Sequence, residues 1–420
     1  MEENKKKSVF SNIMLIIITA VITCLITTIV VYNVASSDST DKKEETNIFG
    51  IIARNISNVF SKPDENSTKL QNKITEIDAK LKETYIGEID EEKLIDGALE
   101  GYVEAIGDEY SEYLTKEEVS ELLEEVDGSY VGVGVYISQL VKTNEIVVIG
   151  VIQDSPAEEA GILVGDIIKK VDGTEYTGDE LNAASNKMRG PENTDVKVTI
   201  VRNEEEKEIN ITRRKIEFKY VSSELLENNI GYIKISSFEG NCAKTFEEKY
   251  KELEQKGIKS LIIDLRNNGG GLVDQCLEIA DFILPKGDIT LITTDKNKKE
   301  EISKSRKDPI VNVPVVILVN NYSASASEIL TGAIKDNLDA KVVGTTTYGK
   351  GVIQGIYLLK DQETGLKVTI QEYFTPKHNK INKTGITPDY EVELPEEYKG
   401  TTNIEKEHDT QLQKAIDLLK

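Results

Sequence analysis

Histidine is nearly missing from this chain of 420 residues: only His378 and His408 are present, both toward the C-terminal end. A hydroxyl is a poor nucleophile at neutral pH until a neighbouring base takes its proton. A serine-based site elsewhere in this chain therefore needs a base other than imidazole. Cysteine is almost as scarce. Cys24 lies in an apolar run, and Cys242 and Cys276 stand apart, so there is no CxxC pair and no Cys/His cluster. That pattern argues against a structural zinc site, and no metal or other cofactor is expected. Positive charge is in deficit, with a formal net charge of −23. A nucleic-acid partner is not expected, because repulsion from phosphates would have to be overcome locally.

One long uncharged stretch runs from Ser8 to Ser37. Within it, residues 13–31 are almost wholly Ile, Val, Leu, Met, Thr and Ala. At about 1.5 Å per residue, that run approaches the ~30 Å of a bilayer core. Lys5, Lys6 and Lys7 precede it and acidic residues follow from Asp38. The positive-inside rule then predicts a single-pass cell-membrane anchor at 13–34, with 1–12 cytoplasmic and the remainder extracytoplasmic. A cleaved signal peptide is the competing reading, but its apolar region would be unusually long.

Residues 35–70 are rich in Ser, Asp, Lys, Asn and Glu and read as a linker. Helical spacing follows in 71–126. Asp90 is placed to cap a helix carrying Leu94, Ile95, Leu99, Tyr102 and Ile106, and the string from Thr115 to Glu118 is a capping box opening another. From about Gly128 the period changes to two, giving a compact, mostly β module. From about Lys215, buried-type strands alternate with glycine turns and helices: residues 261–265 lead into Asn267-Asn268-Gly269-Gly270-Gly271, and residues 315–319 into a serine run. Residues 357–374 read as a hairpin turning at 361–365. The last 25 residues read as a polar, peripheral helix.

The run Ser323-Ala324-Ser325-Ala326-Ser327-Glu328 places Ser325 between a strand and a helix, with Lys350 downstream. Free N–H groups at a helix N-terminus favour negative charge, so the Ala326 N–H is a candidate oxyanion donor. Gly270 or Gly271 is the candidate for a second, since glycine lets backbone N–H groups adopt orientations closed to other residues. Lys350 lies in a near-match to a phosphate-binding loop, but Gly351 replaces the hydroxyl residue that loop requires. A lysine serves as a base when burial disfavours its charged form. Gln354 shares a strand face with Lys350 and could orient the amine. Taken singly, each feature is also explained by capping, an ordinary glycine turn or a solvated loop cation.

Together, the motifs resemble the C-terminal processing peptidases, or tail-specific proteases, of family S41. The resemblance runs from about Leu81 to Leu394. It is carried by Tyr130-Val131-Gly132-Val133-Gly134-Val135, Ser155-Pro156-Ala157 through Gly165-Asp166, Asp264-Leu265-Arg266 with the glycines that follow, the serine run, Gly349-Lys350-Gly351 with Gln354, and Gly385-Ile386-Thr387-Pro388-Asp389. It implies a serine endopeptidase with an α/β (α+β) core of crotonase/Clp-like type at 215–395. An inserted PDZ domain is implied at 127–214, with a tail helix at 396–420. By that resemblance Ser325 is the nucleophile, Lys350 the general base and Gln354 its positioner, with Asp336 in a supporting role. Lys377-His378-Asn379 departs from the family pattern. The PDZ domain is expected to bind substrate C-termini through Tyr130 to Gly134, with Val133 and Val135 lining an apolar pocket, and to gate the active site. Helices in 71–126 are expected to allow a homodimer. The alternative is a non-catalytic, membrane-bound PDZ adaptor that binds protein C-termini.

Overall fold

The computed structural model describes residues 65–398 and 404–420. The expected anchor at 13–34 lies outside the described residues, as does most of the linker. Among the described residues, no helix is long and apolar enough to cross a membrane. Helix α1 (Glu65–Thr84) starts inside the stretch expected to be linker and buries none of its residues. Ion pairs one turn apart, Lys80–Glu83 and Lys82–Asp78, run along it. The polar composition that suggested a linker is that of a helix solvated on every side. It belongs to a unit ending at Ile86, separate from the unit Gly87–Lys420.

In the larger unit, Asp90 caps α2 (Glu91–Glu104), accepting the Lys93 N–H at 3.2 Å. β1 (Glu112–Leu114) and α3 (Lys116–Asp127) follow. The capping box forms as expected: Glu118 accepts the Thr115 N–H at 2.8 Å, and Thr115 Oγ1 accepts the Glu118 N–H at 3.3 Å.

The β module comprises β2 (Ser129–Gly132), β3 (Val135–Leu140), β4 (Glu145–Val151), α4 (Pro156–Glu159), β5 (Ile167–Val171), β6 (Thr174–Glu175), α5 (Leu181–Met188), β7 (Asp195–Arg202), β8 (Glu205–Thr212) and β9 (Arg214–Glu217). Its antiparallel sheet has the order β3-β4-β5-β7-β8, which leaves β3 at an edge. β2 and β9 pair as a two-stranded ribbon where the chain enters and leaves the module. Ile146, Val148, Ile168, Val198 and Ile200 fill its core, as the alternation requires.

The larger core is built from β10 (Val221–Leu226), β11 (Ile230–Ile235), α6 (Cys242–Gln255), β12 (Ser260–Asp264), α7 (Val273–Ile283), β13 (Ile289–Asp295), β14 (Glu300–Lys304), β15 (Val315–Val319), α8 (Ala326–Asn337), β16 (Lys341–Gly344), β17 (Val352–Leu358), β18 (Gly365–Phe374), β19 (Tyr390–Glu391) and α9 (Thr410–Leu418). Strands β11, β12, β15, β16 and β19 run parallel, with β10 antiparallel at one edge. Every residue of β12 and β15 is buried, because helices cover both faces of this sheet. α6, α7 and α8 pack on one face. α9 packs on the other, with Leu412 and Ala415 buried against Ile262 and Val316. The tail helix is therefore part of the core, correcting the expected peripheral placement; its apolar residues recur at helical spacing on one stripe. A second sheet, β1-β18-β13-β14, carries β17 hydrogen-bonded to β18, and that hairpin is the expected one, lengthened back to Val352.

In a parallel sheet the loops leaving the strands gather at one edge, where ligands bind. Here the loops after β12, β15 and β16 bring together the 268–271 turn, the serine run and Lys350.

Candidate active site

The three serines of the run have different environments. Ser323 and Ser327 are fully buried and hold the loop: Ser323 Oγ donates to the Leu265 carbonyl at 2.8 Å, and Ser327 Oγ to the Asn268 carbonyl at 2.9 Å. Ser325, between buried Ala324 and Ala326, is the one that reaches partial exposure. Its backbone is at φ 54° and ψ −116°, a strained conformation for a residue with a Cβ, costing about 1–3 kcal/mol. Such strain places the side chain at the mouth of the helix rather than along it.

Gly270 makes this placement possible. A Cβ on it would lie 2.8 Å from Ser325 Cβ, so only glycine lets the two loops touch. The Gly270 N–H is already engaged, donating to Asn268 Oδ1 at 2.8 Å. It therefore cannot serve as an oxyanion donor in this arrangement. The N–H groups of Gly271 and Ala326 have no acceptor among the described residues.

Glu328 joins the serine loop to the lysine loop. Its carboxylate is fully buried and accepts four hydrogen bonds: Ser325 N–H at 3.0 Å, Lys350 N–H at 2.9 Å, Gly349 N–H at 2.7 Å and Thr347 Oγ1 at 2.6 Å. Burial pushes its pKa up, against the pull of those donors. Tyr373, also buried, reaches the same two residues from their other ends: its hydroxyl is 3.1 Å from the Ser325 carbonyl oxygen and also bonds the Lys350 carbonyl. The closing motif braces this loop from behind, with Ile386 N–H donating to Thr347 Oγ1 at 2.7 Å.

Lys350 is half-buried. Burial, followed by the charge of Lys367 on β18, holds its amine below the ordinary lysine range, against Glu112, Asp108 and Glu328. Its Nζ lies 4.9 Å from the centroid of the Tyr110 ring. No hydrogen bond joins it to Ser325 Oγ or to Gln354. The Gln354 amide donates to Thr369 Oγ1 at 3.2 Å. The backbones of Ser325 and Lys350 are thus gathered by Glu328, while no hydrogen bond joins the reactive ends of the three expected residues. Asp336 accepts the Lys377 N–H at 2.9 Å and a bond from Thr375, tying the chain that follows β18 to α8. His378 faces Glu300, and His408 stacks on Tyr398.

Beside the serine loop, Asp264 and Arg266 form a buried pair extended to Asp409, with Arg266–Asp264 at 2.6 Å and Arg266–Asp409 at 2.8 Å. Burial pushes the Asp264 carboxyl up, but the Arg266 guanidinium holds it below its usual range. These residues line a cleft of about 680 Å³ shared with Asn320 and Tyr322. Neither Ser325 nor Lys350 lines it, so this cleft is adjacent to the expected chemistry and not at it.

In the β module, the expected carboxylate loop is only partly free. Tyr130, Val131 and Gly132 belong to β2, and Val133 is buried in the module's core instead of lining a surface pocket. Gly134 (φ 92°) turns the chain into the β3 edge, where Val135 packs against the same core. Arg189 lies over the Tyr130 ring and pairs with Glu124 of α3 at 2.6 Å.

The family model for peptidase family S41 matches residues 229–392, a PDZ domain matches 129–212, and the N-terminal domain of the activating protease CtpB matches 25–118. A protein named "Probable CtpA-like serine protease" from Staphylococcus haemolyticus is 38% identical over 307 residues, 72% of this chain and 61% of that one. The chain carries an S41 peptidase domain behind a PDZ domain. The Staphylococcus aureus protein of the same name is 37% identical over 327 residues, 77% of this chain and 65% of the relative. The chain thus spans just under two thirds of the length of these relatives. A solved structure described as "Putative S41 protease from Bacteroides fragilis" matches over 80% of this chain and 92% of that one, at 17% identity and a TM-score of 0.50.

The sequence named Glu328 only as the end of a motif, and its capping distance from Ser325 was the available signal. Tyr373 and Tyr110 carried no local signal, because their contacts join distant segments.

Proposed function

We propose that this chain is a C-terminal processing peptidase, a membrane-anchored serine endopeptidase. It would cleave extracytoplasmic proteins recognised by their C-terminal tails. Ser325 attacks the peptide carbonyl, and Lys350 takes the hydroxyl proton and returns it to the leaving amine. Water then resolves the acyl-enzyme, with Gln354 orienting the amine. The N–H groups of Ala326 and Gly271 receive the developing oxyanion; Gly270 would join only after releasing Asn268. The observation that carries this reading is the shared Glu328 carboxylate, which fixes the serine and lysine loops against one another.

Tails would enter at the β3 edge as an added strand, with the terminal carboxylate at the 132–134 turn, and their binding would gate cleavage. An anchor at 13–34 is supported by its composition, and an extracytoplasmic catalytic part by the charges flanking it. A homodimer is supported by Leu94, Ile95, Tyr102 and Ile106, all exposed on or just beyond α2. A core of crotonase/Clp-like type is supported by the repeated strand, glycine turn and helix.

The separation of the Lys350 amine from Ser325 favours a second reading, a membrane-bound adaptor that binds tails without cutting. Degradation of casein and of a tailed reporter by wild type and Ser325→Ala separates the two. Turnover in the wild type and none in the variant supports the peptidase. Equal rates remove the nucleophile, and no turnover in either leaves the adaptor.

A further inference from the structure

The segment between α2 and β1 meets the lysine site at two points. The Tyr110 ring lies beneath Lys350 Nζ, 4.9 Å from it. Asp108 Oδ2 accepts Thr369 Oγ1 at 2.7 Å, and Thr369 Oγ1 in turn accepts the Gln354 amide at 3.2 Å. The two side chains expected to act together on Ser325 are thus each engaged elsewhere: Lys350 by Tyr110 of this stretch, and Gln354 by its cross-strand partner Thr369, which Asp108 of the same stretch holds.

That stretch is firmly seated. Ser111 Oγ accepts the Thr369 N–H at 3.1 Å, and β1 pairs in register with β18, Glu112 opposite Lys367. Those two side chains also form an ion pair at 2.8 Å. Tyr110 is partly buried, and burial together with Glu109 and Tyr348 raises its phenol far above the ordinary range, so the ring stays neutral. A neutral aromatic face attracts an ammonium and gives nothing to a free amine. The contact therefore favours the protonated, withdrawn form of Lys350, the form that cannot act as a base.

We propose that Tyr110 and Thr369 are positioning residues that hold the Lys350 amine and the Gln354 amide away from Ser325 in the resting enzyme, so that activity requires the segment 108–111 to shift. This rests on the reading of Lys350 as the base. The groups facing Lys350 are Tyr110 and Asp108 of this segment, Glu112 of β1, Lys367 of β18 and Glu328 of α8. None of the charged ones is removed by the substitutions below.

The test uses the full-length protein, with fluorescein-casein turnover and the rate at which a fluorophosphonate probe labels Ser325. Tyr110→Leu removes the aromatic face, and Thr369→Val frees the Gln354 amide. Loss of a cation–π contact predicts basal turnover and labelling about three- to thirtyfold faster in Tyr110→Leu. Thr369→Val is expected to shift both rates in the same direction, and Tyr110→Phe, which keeps the ring, to track the wild type. A merely structural role would slow labelling and never hasten it. Labelling no faster than wild type in both Tyr110→Leu and Thr369→Val overturns the proposal. Lys350→Ala distinguishes the two failures: if it abolishes turnover, the base stands and only the latch falls, and if it is fully active, the base assignment falls and the latch with it.

Discussion

The backbone N–H of Ser325 and that of Lys350 end on the same oxygen, Oε2 of Glu328, at 3.0 and 2.9 Å. Tyr373 reaches the carbonyl oxygens of the same two residues. The two peptide segments are thereby fixed at both ends, while no hydrogen bond joins the side chains that would react. A site built this way is pre-organised in its backbone and adjustable in its chemistry.

Glu328→Gln tests that clasp. The amide nitrogen of glutamine would face two of the four donors that now point at the carboxylate, leaving buried N–H groups unpaired. A loss of about 1–3 kcal/mol in urea unfolding is expected, together with a fall in turnover of at least about tenfold. Unchanged stability with unchanged turnover would mean that the loops are held by something else.

Tyr373→Phe removes one hydroxyl and no volume. Its neighbours are buried carbonyls, so a milder loss of about 0.5–1.5 kcal/mol is expected, with kcat reduced and KM unchanged in steady-state kinetics.

How much of this was legible beforehand depended on range in sequence. The Asp90 cap, the Thr115–Glu118 box and the strand-to-helix turn at Ser325 are written within a few residues of one another, and each formed where expected. The Glu328 clasp closes across 22 residues to Lys350, and only the Ser325 half of it had a local spacing. Tyr110 meets Lys350 because β1 pairs with β18, a register fixed by tertiary packing and invisible to periodicity. Val133 fitted an alternating strand equally well facing in or out, and core burial decided it. α9 looked peripheral because the charged stretch that leads into it, Glu405 to Asp409, masks the few apolar residues, Leu412 and Ala415 among them, that pack it on the sheet.

Lys350 titration gives a signed prediction. Its folded-state pKa is lowered, and the proposed base is the neutral amine, so kcat/KM should rise with pH along a limb below the ordinary lysine value. Lys367→Gln removes a like charge and frees the Glu112 carboxylate, and both changes favour the ammonium. The limb should move to higher pH in that variant. A limb that stays put would show that Lys350 is not the titrating group.

Asp264 contributes to the acid dependence of stability. Its pKa is lowered in the folded state by Arg266, so its contribution is present above the unfolded value and is lost as pH falls through the folded one. Asp264→Asn leaves Arg266 with one partner fewer in a buried site and should cost about 3–5 kcal/mol near neutrality. In denaturation series the gap from wild type should narrow as the pH is lowered; a constant gap would contradict the assignment.

A crystal structure of the wild-type enzyme carrying a peptide boronate on Ser325 would test the central claim most directly, since the adduct mimics the tetrahedral intermediate. The account predicts Lys350 Nζ within about 2.6–3.2 Å of Ser325 Oγ, with Tyr110 vacated and the boronate oxygen on the Ala326 and Gly271 N–H groups. An adduct with the Lys350 amine still over the Tyr110 ring, or turned to solvent, would contradict it.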